Sequence, residues 1–286
     1  MQFSHILRKI MLDRHLSNQM LLAILQTDER YKTSIDETVV AQWVEHKRLP
    51  PFKEQVYLCL FLGMSFQQIL LNLTLPAIDN AFVAPLKQLF PSQTQYTSLS
   101  YIPSYHSPKR LKLHDQATGK TKVIIEKYYD HFDVYLNKSL RQLLQDEEST
   151  TTMCVLQPHY KVPNSHLCYS RLHKHLAIDT LGLVLPSDNI LIHPAYFNGL
   201  AELVHLIGWF VIKVSEGRTL NEILRTSVFS ITRESQFFEL YDKLGAKVIY
   251  ESSPNRPYIA IYKTPLFNIM TNHNLLHFSK EVSSRI

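Results

Sequence analysis

Four side chains able to bind metals or move protons crowd into ten residues: His166, Cys168, His173 and His175, in the run SHLCYSRLHKH. Zinc sites use such ligands, but the paired C-x2-C spacing is absent. The chain holds 14 His, so some clustering is expected, and the run reads as surface and core residues with no metal. No Ser-His-Asp order or nucleophile elbow is recognisable. With only 7 Gly, the chain contains no G-x-G-x-x-G and no G-x-x-x-x-G-K-[ST] phosphate loop. Arg225, Arg233 and Glu234 lie near Phe237 and Phe238, where they could line a ligand pocket or form a surface ion pair.

A second chemistry, recognition of base edges, needs polar side chains on a short helix. Ser17–Leu25 and about Glu37–Glu45 read as two such helices around a turn. Their apolar residues Leu21, Leu22, Leu25 and Val39, Val40, Trp43 recur at helical spacing. Ser17 and Asp36 are good N-caps, because a short side-chain oxygen can accept the free N–H groups of a first turn. Two helices joined this way, the second presenting polar groups, follow helix-turn-helix logic. Glu37, Thr38, Ala41 and Gln42 are expected to face the bases. Gln can bond adenine bidentately, Thr or Ala can touch a thymine methyl, and Glu can accept from cytosine. Ser17, Asn18 and Gln19 open the first helix, whose N-terminus suits a phosphate. Lys47, Arg48 and Lys53 are candidate phosphate clamps.

These residues need a frame. Residues 1–74 predict five short helices, punctuated by Pro50-Pro51 and by Ser65 as a further cap. Residues 75–105, with Pro76, Pro85, Pro91 and Pro103 among Ser, Thr and Gln, predict a linker with one short helix at Phe82–Leu89. From residue 106 to 286 the pattern is mixed. Strands are expected at Thr121–Tyr128 and Phe132–Tyr135, with a hairpin turn at Ala117–Lys120. Further strands are expected at Met153–Gln157, Ala177–Leu185, Ile190–His193, Lys247–Glu251 and Tyr258–Tyr262. Helices are expected around Leu140–Leu144, at Leu200–Phe210 and at Glu234–Leu244, the last stopped by Gly245. The expected class is α+β multidomain: an all-α helical bundle followed by an α/β domain with a mixed sheet and flanking helices.

Composition bounds the function. A chain that is 45% hydrophobic and 19% charged is not disordered, and 286 residues suffice for two domains. Three distant cysteines exclude a disulfide scaffold and favour a reducing cytoplasm. The net charge of +5 is compatible with a polyanion partner. Residues 1–75, however, carry eight Lys/Arg against seven Asp/Glu, so any DNA contact depends on local placement. The N-terminus has no signal-peptide pattern. Val56–Ile78 and Leu200–Val214 hold polar residues or fall short of the ~20 residues of a span, so no membrane partner is expected.

Three segments read together, LSNQMLLAIL, IDETVVAQWVEHKRLPP and LCLFLGMSFQQIL, resemble the Cro/cI-type (XRE) helix-turn-helix family. The matching positions are Leu16, Ser17, Leu21, Val40, Trp43, Lys47, Arg48, Pro50, Leu58, Leu62, Met64, Ser65 and Leu70. His46 replaces the usual Gly, where a left-handed backbone is expected, and Thr27–Ser34 makes the turn longer than usual. The resemblance implies reading of double-stranded DNA by residues 1–74.

Two later segments resemble the GNAT N-acyltransferases, which include the acyl-homoserine-lactone synthases. They are ILIHPAYF at 190–197 and FELYDKLGA at 238–246. The resemblance implies an acyltransferase-like domain with His193, Tyr196, Asn198, Gly199, Arg233 and Tyr241 toward a ligand, and Tyr241 as the residue to protonate a departing thiolate. The family's pyrophosphate loop is missing: Asn198-Gly199-Leu200-Ala201-Glu202 offers one glycine and no positioned Arg or Gln. The expectation is therefore a transcriptional regulator acting as a homodimer on an operator. Its C-terminal domain is expected to be non-catalytic and to dimerise or sense a small-molecule effector. The alternatives are an active N-acyltransferase using acyl-CoA or an acyl carrier, and an antitoxin-like or phage-defence interaction protein.

Overall fold

The computed structural model describes residues 1–90, 112–114, 123, 126, 127, 129, 130, 138–145, 151–157, 165–197, 199–232, 237–252 and 259–283. Five helices open the chain: α1 (Phe3–Asp13), α2 (Asn18–Leu25), α3 (Glu37–Val44), α4 (Phe52–Phe61) and α5 (Phe66–Asn72). The Ser17 hydroxyl accepts from the Met20 N–H at 3.2 Å, and the Asp36 carboxylate accepts from the Val39 N–H at 2.8 Å. Ser65 forms a reciprocal capping box with Gln68. At the other end of α4, Gly63 adopts a left-handed backbone (φ +81°), and Arg14 Nη2 donates to the Leu62 carbonyl at 2.7 Å. That bond satisfies one of the carbonyls a helix end leaves open. His46 is also left-handed (φ +65°), as expected where the resembled family has glycine.

The connector holds α6 (Asn80–Leu89), close to the short helix expected there. The rest of the described chain builds a seven-stranded sheet from β1 (Lys112–His114), β2 (Thr151–Gln157), β3 (Ser165–Leu172), β6 (Asn189–Ile192), β7 (Ser227–Thr232), β8 (Lys247–Glu251) and β9 (Ala260–Pro265). Their order is β1-β2-β3-β6-β7-β9-β8, with β6 and β7 parallel and every other pair antiparallel. A separate hairpin pairs β4 (Leu176–Ile178) with β5 (Leu183–Leu185). A parallel pair needs a crossover. Here it is α8 (Leu200–Ser215) followed by α9 (Leu220–Arg225). The remaining helices are α7 (Lys138–Gln145), α10 (Phe238–Lys243), α11 (Leu266–Thr271) and α12 (His273–Ser283). The chain is thus α+β with a mixed sheet.

Alternation along the strands divides the sheet into two faces. Leu167, Tyr169, Ile190 and Val228 join the core beneath α8, whereas Cys168, Leu172, Leu191, Phe229 and Ile231 join a second core with Tyr129 and Leu140 of α7. The α8 core does not stop at the sheet. It runs through α12 and α11 into α1–α6, so Phe3, Leu21, Trp43 and Val56 belong to the same apolar cluster as Trp209 and Leu276. Polar bonds reinforce this union: Asp79 N–H donates to Asn274 Oδ1 at 2.8 Å, and His277 Nε2 bonds the Pro76 carbonyl at 2.7 Å.

Several sequence expectations need correction. Val123, Glu126 and Lys127, inside the strand expected at 121–128, are helical, as is Tyr129 just after it. Tyr129 is buried against His166 and His193, and such tertiary burial overrides local strand propensity. Ala177–Leu185 is not one strand but the β4–β5 hairpin, turned by a 3-10 segment and by Gly182 (φ +64°). β3 and β7 are central strands that the sequence pattern does not predict. The 117–120 turn, the strand at 132–135 and the start of the 234–244 helix lie outside the described residues.

Candidate functional site

The exposed edge of the helical part is built by caps and apolar anchors. Leu21 and Leu25 bury one face of α2, and Val40 and Trp43 bury one face of α3. Ser17, Gln19, Glu37, Thr38, Lys47 and Arg48 are left exposed, with Asn18, Ala41 and Gln42 half-buried. Gln19 Nε2 donates to Glu37 Oε2 at 3.2 Å and ties the first turns of the two helices together. Lys47 Nζ meets Glu45 Oε2 at 2.6 Å, an exposed pair worth little in water. Lys53 is engaged elsewhere: its Nζ donates to Asn268 Oδ1 at 2.8 Å and lies 5.3 Å from the centre of the Phe267 ring.

The long turn between α2 and α3 is braced by tyrosine–carboxylate bonds that the sequence pattern does not announce. Tyr57 donates to Asp28 and Tyr31 to Glu54, and the Arg30 guanidinium lies 4.1 Å over the Tyr57 ring. Burial, then the carboxylate partner, raises the pKa of both phenols, so they remain donors. The turn is long because it carries its own anchors.

Of the residues expected to face a ligand, the described His193 and Tyr241 lie on opposite faces of the sheet. His193 is fully buried at the end of β6, on the α7 face of the sheet. Its Nε2 is 2.8 Å from Ser170 Oγ, which is 2.7 Å from Thr151 Oγ1, which donates to the Leu143 carbonyl at 2.6 Å. A carbonyl only accepts, so the Thr151 hydrogen is committed to Leu143 and Ser170 donates to Thr151. His193 therefore donates from Nε2. Burial lowers the His193 pKa to about 3 and that of neighbouring His166 to about 4, so both are neutral. Tyr196 is linked to His166 by two backbone hydrogen bonds of 2.8 and 3.1 Å.

Tyr241 sits on the opposite face. Its ring stacks on Tyr262 at 4.3 Å with an interplanar angle of 9°, and its hydroxyl bonds buried Ser230. Burial raises its pKa, and the phenol is packed between α10 and the sheet. The alternation of β-strand side chains separates it from His193. Gly199 caps α8 without a side chain, and the buried Glu202 carboxylate folds back over it: a Cβ on Gly199 would lie 2.8 Å from Glu202 Oε2. A helix N-terminus favours an acidic side chain in its first turn, and Glu202 stands there. Phe197 and Phe237 meet edge-on at 6.4 Å beside it. Asn198 and Arg233 lie outside the described residues. His166 and Cys168 are buried in β3 while His173 and His175 are exposed beyond it, so the His/Cys run is split. Among the described residues no group of three or more His, Cys, Asp or Glu could hold a metal, and no helix is long and apolar enough to cross a membrane.

No protein-family model and no curated protein sequence matches the chain. Solved structures that are distantly similar include the following two. An uncharacterised protein (bh2621) from Bacillus halodurans is 12% identical, with a TM-score of 0.35, over 57% of this chain and 91% of that one. An aminoglycoside N(6')-acetyltransferase from Legionella pneumophila is 14% identical, with a TM-score of 0.32, over 55% of this chain and 92% of its own.

Proposed function

We propose that the protein is a sequence-specific double-stranded DNA-binding regulator that acts as a homodimer, with a non-catalytic, GNAT-like α/β part. The observation that carries the reading is the α2–α3 pair. Two short helices, each capped by its own side chain, bury their apolar faces and expose Ser17, Gln19, Glu37 and Thr38 along one edge. This is the arrangement in which a second helix enters the major groove and the first meets the backbone. Gln19, bonded to Glu37, holds the acidic group that would accept from a cytosine amine.

The mixed sheet with its parallel β6–β7 pair is compatible with a GNAT-like fold. Two features favour loss of acyl-CoA chemistry over its retention. The Glu202 side chain lies over Gly199 at the start of α8, where a ligand anion would have to sit, and Tyr241 is packed against Tyr262 and Ser230. The core shared between the halves gives an effector bound to the α/β part a mechanical route to the reading helices.

Selection of bound fragments from a random DNA pool, at a stated near-physiological salt, tests the reading. A palindromic motif is the expected result. Recovery of no motif, together with calorimetric binding of acyl-CoA, would replace this reading with the acyltransferase one. No motif and no acyl-CoA binding would favour a protein-interaction role.

A further inference from the structure

Residues of α6, α8 and α12 enclose a cavity of about 700 Å³ that opens to solvent on one side. Small-molecule sites commonly measure roughly 300–1,000 Å³. Two contacts fix how its walls run. The Asp79 N–H donates to Asn274 Oδ1 at 2.8 Å, and the Phe82 ring meets the Phe278 ring at 6.4 Å. From these contacts α6 and α12 advance in the same direction, toward Lys87 on one and Lys280 on the other. Each lysine stands in the last turn of its helix, where a cation is favoured. Both line the cavity, so its positive charge gathers toward one end.

The rest of the lining is apolar or already engaged. Half-buried Val83 and Val204 and the buried Phe278 form the inner wall, and exposed Ile78 stands just before α6, away from the lysines. His277 lines the same side, but its Nε2 bonds the Pro76 carbonyl at 2.7 Å. Neither Lys87 nor Lys280 has an ion-pair partner among the described residues, and both are exposed. Against these two cations the lining sets one carboxylate, Glu281. The cavity therefore combines an apolar wall with an excess of positive charge at one end.

We propose that this cavity binds a small organic anion: one carboxylate or sulfonate held by Lys87 and Lys280, on an apolar body lying along Val83, Val204 and Phe278. A single charge suits the site, because Glu281 repels a second. A cation would be repelled by both lysines, and a neutral molecule would gain nothing from them. The occupant would touch α6 of the connector, the crossover helix α8, and α12, whose core continues into the helical bundle. As the seat of an effector the site rests on the regulator reading; as a binding site it does not. Its test uses no DNA, so binding can be found without an operator, and an operator without binding.

The probe is anilinonaphthalene sulfonate, an aromatic monoanion that fluoresces when its rings leave water. Titrated into the folded full chain, it should bind saturably at one site, and decanoate should displace it. Lys87→Gln or Lys280→Gln should each weaken it about threefold, and the two together about tenfold, as loss of exposed charge contacts implies. Glu281→Gln should instead tighten it, by about twofold. N-phenylnaphthylamine, the same rings without the sulfonate, should bind all four proteins alike. Because both lysines are exposed, thermal unfolding of their variants should match that of the native chain. No saturable binding, or affinity for the sulfonate unchanged in the double lysine variant, would overturn the proposal. So would an equal loss of the neutral probe, which would show that the lysines only shape the wall. A dimer in sedimentation that is lost in the double variant and indifferent to decanoate would make the cavity an interface between copies instead.

Discussion

Ser170 Oγ lies 2.8 Å from His193 Nε2 in the buried interior, and the Thr151–Leu143 bond beyond it forces the histidine to be the donor. The arrangement uses a neutral imidazole and makes folding pH-dependent. In the unfolded chain His193 and His166 take up protons near pH 6.5; in the fold they resist until about 3 and about 4. Their stabilising contribution is complete above pH 6.5 and is lost as pH falls toward those lower values. Each buried histidine contributes a slope of roughly 1.4 kcal/mol per pH unit in that window. Urea midpoints measured from pH 7 to pH 5 should fall steadily, and His193→Gln should flatten the decline by about half. An unchanged slope in that variant would show that His193 does not titrate with unfolding.

Gly208 is where α8 meets α12. A methyl group there would lie 2.5 Å from the Phe278 carbonyl oxygen and 2.9 Å from Val282 Cγ2. The oxygen is backbone of a helix and cannot swing aside. Gly208→Ala should therefore destabilise the fold, despite alanine's better helix propensity, by roughly 1–3 kcal/mol through overpacking. Because α12 packs against both α5 and α8, near-UV signals from the two halves should be lost in a single transition. Two separate transitions, or a gain in stability on Gly208→Ala, would contradict the shared core.

The helical part is legible in the sequence because its signals are local. Ser17, Asp36 and Ser65 cap their helices as their side chains dictate, and the Trp43–Val40 face is buried as its spacing requires. The α/β part is less so. β3 reads SHLCYSRL, a sequence whose His, Cys and Ser look like a ligand set, yet these residues are buried by contacts with Tyr129 and Thr151 that lie far away in the chain. Gly182 signals the β4–β5 turn, but alternation across 177–185 masks it. The seat of Glu202 over Gly199 depends on how α8 starts, and only its position three residues into a helix after a glycine hints at it. The separation of Tyr241 from His193 depends on which strands lie in the sheet, which no short motif records.

His46 holds a left-handed backbone at φ +65° and a 3.3 Å contact from its Nδ1 to the buried Ser4 hydroxyl. The backbone strain of such a residue is roughly 1–2 kcal/mol, and glycine would relieve it. The long bond to Ser4 recovers less than that. His46→Gly should leave the protein equally or slightly more stable in thermal unfolding, while His46→Val, with a β-branched side chain, should lower it by about 1–2 kcal/mol. Equal losses for both variants would mean that the imidazole contact outweighs the strain.

On the proposed reading of DNA by residues 1–74, the three basic residues after α3 should behave differently, because only some are free to meet a phosphate. Lys53 is held by Asn268 and Phe267, whereas Arg48 is exposed and Lys47 faces only Glu45. Removing one phosphate contact should reduce the slope of log affinity against log salt by about 0.9. On a selected operator, Arg48→Ala should flatten the slope by about that amount. Lys47→Ala should weaken binding on all sequences with a smaller change, because Glu45 already offsets its charge. Gln42→Ala should relax specificity at one base pair with the slope intact. Lys53→Ala should leave the slope unchanged and instead lower thermal stability slightly, by about 0.5–1 kcal/mol, through loss of its bond and its seat on Phe267. A flattened salt slope for Lys53→Ala would return that lysine to the DNA-binding edge and show that its bond to Asn268 yields to phosphate.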